Sequence, residues 1–346
     1  MKESTSFTRF IMNKLTRNLP ATVVIALSLV LMVVLGAVGG MSQVLNTFVT
    51  GGMWALLAVG LALVFGVMNV PHFAHGESFM IGAYVAYWVF NPIYQTLGEH
   101  PNAFLEVVAP FIGFLAAAVV GFVVGVLLER IIFAPLRRRT KSGWVMNAFL
   151  LTVGVSFVLT NGFTLAIGPN FRGIPRYWNI DTLTILGANV SADRIVAFFL
   201  AMITIFALWL FLRQTRTGRA IRAVSQDETG AELVGINLDF VYVLTFGLAT
   251  ATAALAGASL LFMFQAYPTV GGKPLYFAWY VVMLAGLGNV AGAILGGFIV
   301  ALLQTATQQF FGPSWEDVIP VAVMILVLIA VPSGIFGSEV KGVQEQ

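Results

Sequence analysis

Apolar stretches of 18 or more residues, free of lysine and arginine, recur along this chain and set the terms for anything it can fold into. As a helix, a stretch of that length crosses the ~30 Å hydrocarbon core of a bilayer. Only 10% of the residues are charged, against roughly 25% in a soluble domain, and the charges cluster between the apolar stretches. Full spans are predicted at about 19–40, 44–67, 78–97, 107–128, 146–167, 195–212, 240–265 and 318–336. A ninth apolar stretch, 276–311, is too long for one span and too short for two comfortable ones, and reads as a broken helix or as two short spans. Gly286-Leu287-Gly288-Asn289 interrupts it with poor helix chemistry. The fold class is therefore an all-α polytopic membrane protein, with about 8 transmembrane helices plus a broken or re-entrant helix pair.

The positive-inside rule orients such a chain. With the N-terminus in the cytoplasm, interior segments hold fourteen lysines and arginines and exterior segments hold four (Arg172, Arg176, Arg194 and Lys273). The opposite orientation inverts that bias, so both termini are expected in the cytoplasm. The basic segment 1–18 precedes an apolar run of about 20 residues, longer than the roughly 7–15 of a signal-peptide core, which reads as a retained span. The chain divides into a cytoplasmic segment 1–18, a transmembrane domain 19–337 and a cytoplasmic tail 338–346. Gly121/Gly125, Ala249/Ala253/Gly257 and Gly292/Gly296 repeat small residues every fourth position, as close helix packing in lipid requires.

Several chemistries are excluded. Without cysteine there are no disulfides, thiolate metal sites, iron–sulfur clusters or cysteine nucleophiles. No GxxxxGK[ST] phosphate loop occurs, and no interior loop has room for a nucleotide-binding domain. No span carries Lys, Arg or Asp at its middle, which weighs against an ion-coupled secondary carrier. The small net charge of +3, placed in loops, suits membrane orientation rather than nucleic-acid binding. No catalytic residues are assigned.

Three segments hold the remaining chemistry. Asn69-Val-Pro-His-Phe-Ala-His-Gly-Glu77 gathers Asn69, His72, His75 and Glu77 beside Pro71 and Gly76. Two histidines and a carboxylate are competent metal ligands, but no fourth ligand accompanies them and no metal is assigned. The segment reads either as a tight interfacial turn or as a helix break beside a transport path; irregular backbone at membrane depth survives where protein or a cavity surrounds it. Gly288 and Asn289 form the second break. Paired breaks near opposite membrane faces are what an inverted repeat produces. An intramembrane enzyme using His72, His75 and Glu77 finds no support in any HExxH or Ser–His pairing. The third segment, Arg213–Asp239, spaces Arg213, Arg216, Arg219 and Arg222 every third residue. Ser225-x-x-Glu228 then matches a capping box and Gly235 a C-terminal cap. A short helix from about Gln226 to Val234 is expected, bearing Glu228, Ala231 and Glu232, either as a plain interior loop element or as a docking helix for a cytoplasmic partner.

These motifs together carry a family resemblance. Gly66–Gly82 (GVMNVPHFAHGESFMIG), Thr217–Gly235 (TGRAIRAVSQDETGAELVG), Leu284–Gly297 (LAGLGNVAGAILGG) and Val331–Gly337 (VPSGIFG) resemble the membrane subunits of bacterial ABC importers for branched-chain amino acids, and more the first than the second of the two paired permeases. The resemblance runs from about 44 to 337. It implies a paralogous permease partner, two cytoplasmic ATPase subunits that carry the ATP and Mg, and a periplasmic substrate-binding protein. No cofactor is expected in this chain. It also implies inner-membrane localisation and a coupling role for the segment with Arg219, Glu228, Ala231, Glu232 and Gly235. Related systems import urea or short amides. His72 stands where the family usually has Asn, which leaves the substrate open.

The topology is directly testable, since the chain is cysteine-free. Single cysteines at positions 140, 225 and 342 are expected to resist an impermeant thiol reagent added to intact cells, and those at 100 and 180 to react. Labelling at position 140 from outside overturns the orientation.

Overall fold

The computed structural model describes residues 19–140, 143–178 and 182–337. The expected segment 1–18, the tail 338–346, Lys141 and position 180 lie outside the described residues. Leu19–Met68 forms α1, a 50-residue helix broken at Gly40, whose φ of 74° and ψ of 178° lie outside helical values. The kink divides α1 into the two expected spans. There follow α2 (His75–Glu99), α3 (Ala103–Leu128), a π-helical turn Glu129–Phe133, α4 (Ala134–Arg139) and α5 (Trp144–Ile167). A short antiparallel hairpin, β1 (Leu183–Ile185) with β2 (Ala188–Val190), pairs Leu183 with Val190. Then come α6 (Ala192–Gln214), α7 (Arg216–Gln226), α8 (Glu228–Leu233), α9 (Leu238–Ser259), α10 (Gly272–Ala285), α11 (Val290–Phe311), a 3₁₀ turn Pro313–Trp315 and α12 (Val318–Ala330).

Among the described residues, seven helices are long and apolar enough to cross a membrane, with all of α1 counted as one. The architecture is the expected all-α polytopic one. Two spans end earlier than expected. α9 stops at Ser259 rather than near 265, because Leu260–Phe264 closes into successive turns, with Met263 and Phe264 both donating to the Leu260 carbonyl. α12 stops at Ala330, just before Val331-Pro332, where proline cannot continue a helix.

Lipid is as apolar as leucine, so association between spans rests on close packing rather than on hydrophobic transfer. The residue distribution follows. The second half of α1 packs on α11, α9, α10 and α6, and α9 packs on α3 and α2. These contacts are built from small residues: Ala249, Ala253, Ala254, Gly257 and Ala258 of α9 are buried. Large apolar side chains such as Leu29, Val33, Leu115, Phe157, Val158 and Ile329 point outward. At the far end of the bundle from the Arg137–Arg139 cluster, Tyr177 and Trp178 of the segment before α6 fold inward and are buried. Asp193 accepts from the Tyr177 and Trp178 amides at 2.7 and 3.3 Å, and the Tyr177 hydroxyl donates to the Ala258 carbonyl at 2.5 Å.

Gly82 and Gly257 set the α2–α9 crossing. A Cβ at Gly82 runs into the Ala254 backbone, and one at Gly257 into the Phe79 carbonyl. Gly98, on the same α2, has nothing within 4 Å of a built Cβ. Gly82→Ala is expected to destabilise the protein by about 1–3 kcal/mol, as overpacking does. Gly98→Ala should be neutral or stabilising by about 0.5–1 kcal/mol. Thermal unfolding in detergent reads the difference, and equal behaviour of the two variants contradicts the packing.

Candidate functional site

The first break separates α1 from α2. Asn69 adopts the left-handed conformation at φ 53°, and its amide donates to the Phe65 carbonyl at 2.8 Å. This closes α1 in the manner of a C-terminal cap, a role asparagine tolerates better than most residues. The chain then turns back along α1. His75, the first residue of α2, donates from Nε2 to the Leu57 carbonyl at 3.1 Å. Leu57 lies eleven residues before Met68, roughly 16 Å back along the helix axis, so α2 begins well inside the bundle. Thr152 of α5 braces the turn: its Oγ1 accepts from the Phe73 amide at 3.2 Å and sits 3.3 Å from the Pro71 carbonyl.

The polar side chains of this break are buried. His72 and His75 are fully enclosed, with ring centroids 5.6 Å apart. His72 packs on Phe246 at 4.7 Å and Phe133 at 6.2 Å, and neither of its ring nitrogens has a hydrogen-bond partner among the described residues. Glu77, in the first turn of α2 where the helix dipole favours an anion, accepts from Ser156 at 2.6 Å and Thr160 at 3.3 Å. Among the described residues no three metal-ligating side chains converge as an ion site requires.

The second break is clamped by the chain's own VPSGIFG segment. Gly286 and Gly288 have φ of 105° and 78°. Asn289 caps α11, its Oδ1 accepting from the Gly292 amide at 2.8 Å while its Nδ2 donates to the Phe336 carbonyl at 2.6 Å. Ile335 and Phe336 amides donate to the Leu284 and Ala285 carbonyls at 2.8 and 3.0 Å, satisfying the last carbonyls of α10. Contrary to the inverted-repeat expectation, the two breaks do not lie at opposite faces. A side chain at Gly66 would meet the Gly288 carbonyl at 2.8 Å, so the end of α1 and the second break touch backbone to backbone. On the other side of the first break, a Cβ at Gly76 would lie 2.5 Å from the Gly271 carbonyl, just before α10. Asn69 and Leu287 remain exposed beside this junction.

The segment Arg213–Asp239 forms two helices where one was expected. α7 buries Gly218, Ile221 and Val224 and exposes Arg216, Arg219 and Arg222. Asp227 takes an extended conformation (φ −157°, ψ 103°) and ends it. Asp227 Oδ1 then accepts from the Gly230 amide at 3.0 Å, so Asp227 and not Ser225 is the N-cap of α8. Ser225 instead donates to the Arg222 carbonyl. Gly235 does end α8, at φ 85°. Ile236 donates to the Ala231 carbonyl and Gly235 to the Glu232 carbonyl, the paired bonds of a Schellman motif. Ala231 faces inward and is buried, whereas Glu228 and Glu232 are exposed. Leu233 and Val234, 83% and 77% exposed, form an apolar tip.

One cluster escaped sequence reasoning. Glu129, with no exposed side-chain surface, sits on the π-helical turn and accepts from Arg137 at 3.0 Å. Arg137 also pairs with Asp239 at 3.0 Å, Arg138 pairs with the same carboxylate at 2.6 Å, and the Arg137 guanidinium lies 4.2 Å from the Tyr242 ring centre. The available signal was a glutamate at the end of an apolar run, followed eight residues later by an arginine. The pairing with Asp239 spans about a hundred residues and leaves no local trace.

Helix breaks satisfied inside a bundle of small-residue spans, with a polar helix pair beyond its arginine-rich end, define a polytopic membrane protein. The chain belongs to the family of branched-chain amino acid transport system permease components, whose model matches residues 43–328. It is 31% identical over 302 residues to the high-affinity branched-chain amino acid transport system permease protein LivH of Salmonella typhimurium, covering 86% of this chain and 95% of that one. The Escherichia coli K12 protein of the same name gives the same identity and coverage. BraD of Pseudomonas aeruginosa is 29% identical over the same length and shares. No solved structure matches the chain.

Asn289 carries two separable bonds, which makes a graded test. Asn289→Ser keeps a capping oxygen for α11 but cannot reach Phe336; Asn289→Ala loses both. Stability in detergent should fall in the order wild type, Ser, Ala, by about 1 kcal/mol per step. Equal stability of the two variants removes the cap from the account.

Proposed function

We propose that this permease is the membrane-spanning subunit of an ATP-driven importer for branched-chain or closely related small amino acids, with ATP and Mg bound by separate cytoplasmic ATPase subunits. The names of its relatives support the substrate class. The absence of any phosphate-loop motif from the sequence supports a separate energy source. In this reading the arginine-rich end, both termini and α7–α8 are cytoplasmic, in the inner membrane. A paralogous permease completes the translocation route and a periplasmic binding protein delivers the substrate. The route runs beside the joined breaks, where Asn69 is exposed and Gly288 and Asn289 are half-buried, while His72, His75 and Glu77 brace it from within the bundle.

The single observation that carries ATPase docking is the exposed tip of α8. Leu233, the last residue of a capped six-residue helix, and its C-cap Val234 leave most of their aliphatic surface uncovered by the described residues. Their surroundings, with Glu228 and Glu232 on α8 and Arg219 on α7, give the apolar centre and charged rim of a protein interface. The Schellman turn at Gly235 holds the tip rigid, and Ala231 seats α8 on the bundle.

Leu233→Asp with Val234→Asp is expected to weaken association with the ATPase subunits by about 2 kcal/mol or more, as loss of a central apolar anchor does. Ala231→Trp, which unseats α8, and Gly235→Val, which forces a β-branched residue into a positive φ, should uncouple uptake from hydrolysis. The measurement is co-purification, uptake and substrate-stimulated ATPase activity of the whole complex in proteoliposomes. Wild-type values for all three variants mean that α8 is not the coupling element.

A further inference from the structure

We infer that Arg137 is a positioning residue that transmits movement of α8 to the buried break between α1 and α2, through the Glu129–Arg137–Asp239–Tyr242 cluster and the Phe133–Phe246–His72 stack. The inference rests on the docking role proposed for α8 and adds the path inward from it.

The path is continuous on named contacts. α8 passes through the Gly235 turn directly into α9, whose first turn carries Asp239, and the Glu228 charge is felt at the Tyr242 hydroxyl three residues further along α9. The Tyr242 ring carries the Arg137 guanidinium on its face at 4.2 Å, within the reach of a cation–π contact. Arg137 holds Asp239 of α9 and Glu129 of the π-helical turn, both at 3.0 Å, so one side chain ties α4, α9 and that turn together. Four residues on from Glu129, Phe133 packs on Phe246 at 4.8 Å, and both flank His72. His72 lies three residues before the start of α2 and next to Phe73, which stacks on Trp279 of α10 at 5.3 Å.

Three features distinguish this cluster from surface charge pairs. Glu129 is wholly enclosed, and an ionisable group enclosed at the end of a membrane span is retained for function more often than for stability. It sits on a π-helical turn, a rare backbone feature frequent at functional sites. And Arg137 answers all its partners at once, so a shift of α9 relative to α4 cannot leave Glu129 in place. The unpartnered nitrogens of His72 fit a joint that must slide between its aromatic neighbours rather than lock to one acceptor.

The test uses the complete transporter with a Phe73→Cys reporter in the cysteine-free chain. Glu129→Gln with Arg137→Gln removes the charges together and strands neither. Tyr242→Phe removes only the hydroxyl that feels the Glu228 charge and keeps the ring beneath Arg137. For both, ATPase subunits should co-purify and basal hydrolysis should continue. Uptake per ATP hydrolysed should fall about tenfold in the double variant, the size of a typical coupling between two sites, and less in Tyr242→Phe. Thiol labelling of the reporter should change on ATP–vanadate trapping in the otherwise wild-type complex and not in the double variant. Wild-type uptake and an unchanged labelling response in both variants overturn the inference. If the double variant does not assemble, Tyr242→Phe alone decides on the same readouts. Loss of ATPase co-purification in Leu233→Asp with Val234→Asp, alongside normal coupling in the cluster variants, would sink this path while leaving the docking role standing. Normal co-purification and uptake in the α8 variants would remove the docking role itself.

Discussion

A helix that ends inside an apolar bundle frees peptide groups that water cannot reach. Each one left unsatisfied costs several kcal/mol in a hydrocarbon environment. This protein ends helices at two such places and answers the freed groups from its own chain. At the first break the answers are the Asn69 amide on Phe65, the His75 ring on Leu57 and the Thr152 hydroxyl between Phe73 and Pro71. At the second they are Asn289 on both α11 and Phe336, and the Ile335 and Phe336 amides on the end of α10. The breaks could not persist without these bonds.

The small-residue core follows from the same need. Bringing a donor on one element to a carbonyl on another requires backbones to approach closely, and only glycine and alanine allow it. Gly66 against Gly288 and Gly76 against Gly271 are such approaches, with no room for a side chain between them. The packing energy of small residues alone is modest in lipid, where the hydrophobic term between helices is absent. The polar bonds decide where the helices stop, and the small residues let them form. Large side chains divide: Trp54, Phe79, Phe246 and Phe277 fill the core between the close approaches, while Leu29, Leu115, Val158 and Ile329 lie on the outer surface, where lipid or a partner subunit meets them.

Much of this was legible in the sequence. Span positions depend only on local hydropathy, and the kink, the second break and the end of α8 are each written in glycines at Gly40, Gly286, Gly288 and Gly235. What could not be read depends on competition or distance. Ser225 and Asp227 both stand just ahead of α8 with capping side chains; Asp227 prevails by turning extended, while Ser225 bonds backward within α7. Ala231 reads as free to meet a partner, but the seat of α8 on the bundle is a tertiary fact. Asn69 and Asn289 both close helix ends in the structure; an asparagine beside a break serves for lining or for capping by composition alone. The Glu129–Arg137–Asp239 cluster needs two distant segments to meet, and no local pattern announces that.

Everything above requires the first break to be enclosed by protein rather than to lie as a loop at the membrane surface. Ala74 is fully buried and small, so Ala74→Cys reports on it with little disturbance. In membrane vesicles open to both sides, an impermeant maleimide should label a cysteine at position 225 readily. It should leave the cysteine at position 74 untouched until the protein is denatured. Labelling at position 74 in the native membrane at the rate seen for position 225 would mean that the segment from Asn69 to Ala74 is a solvent-facing loop, and the buried break would not exist.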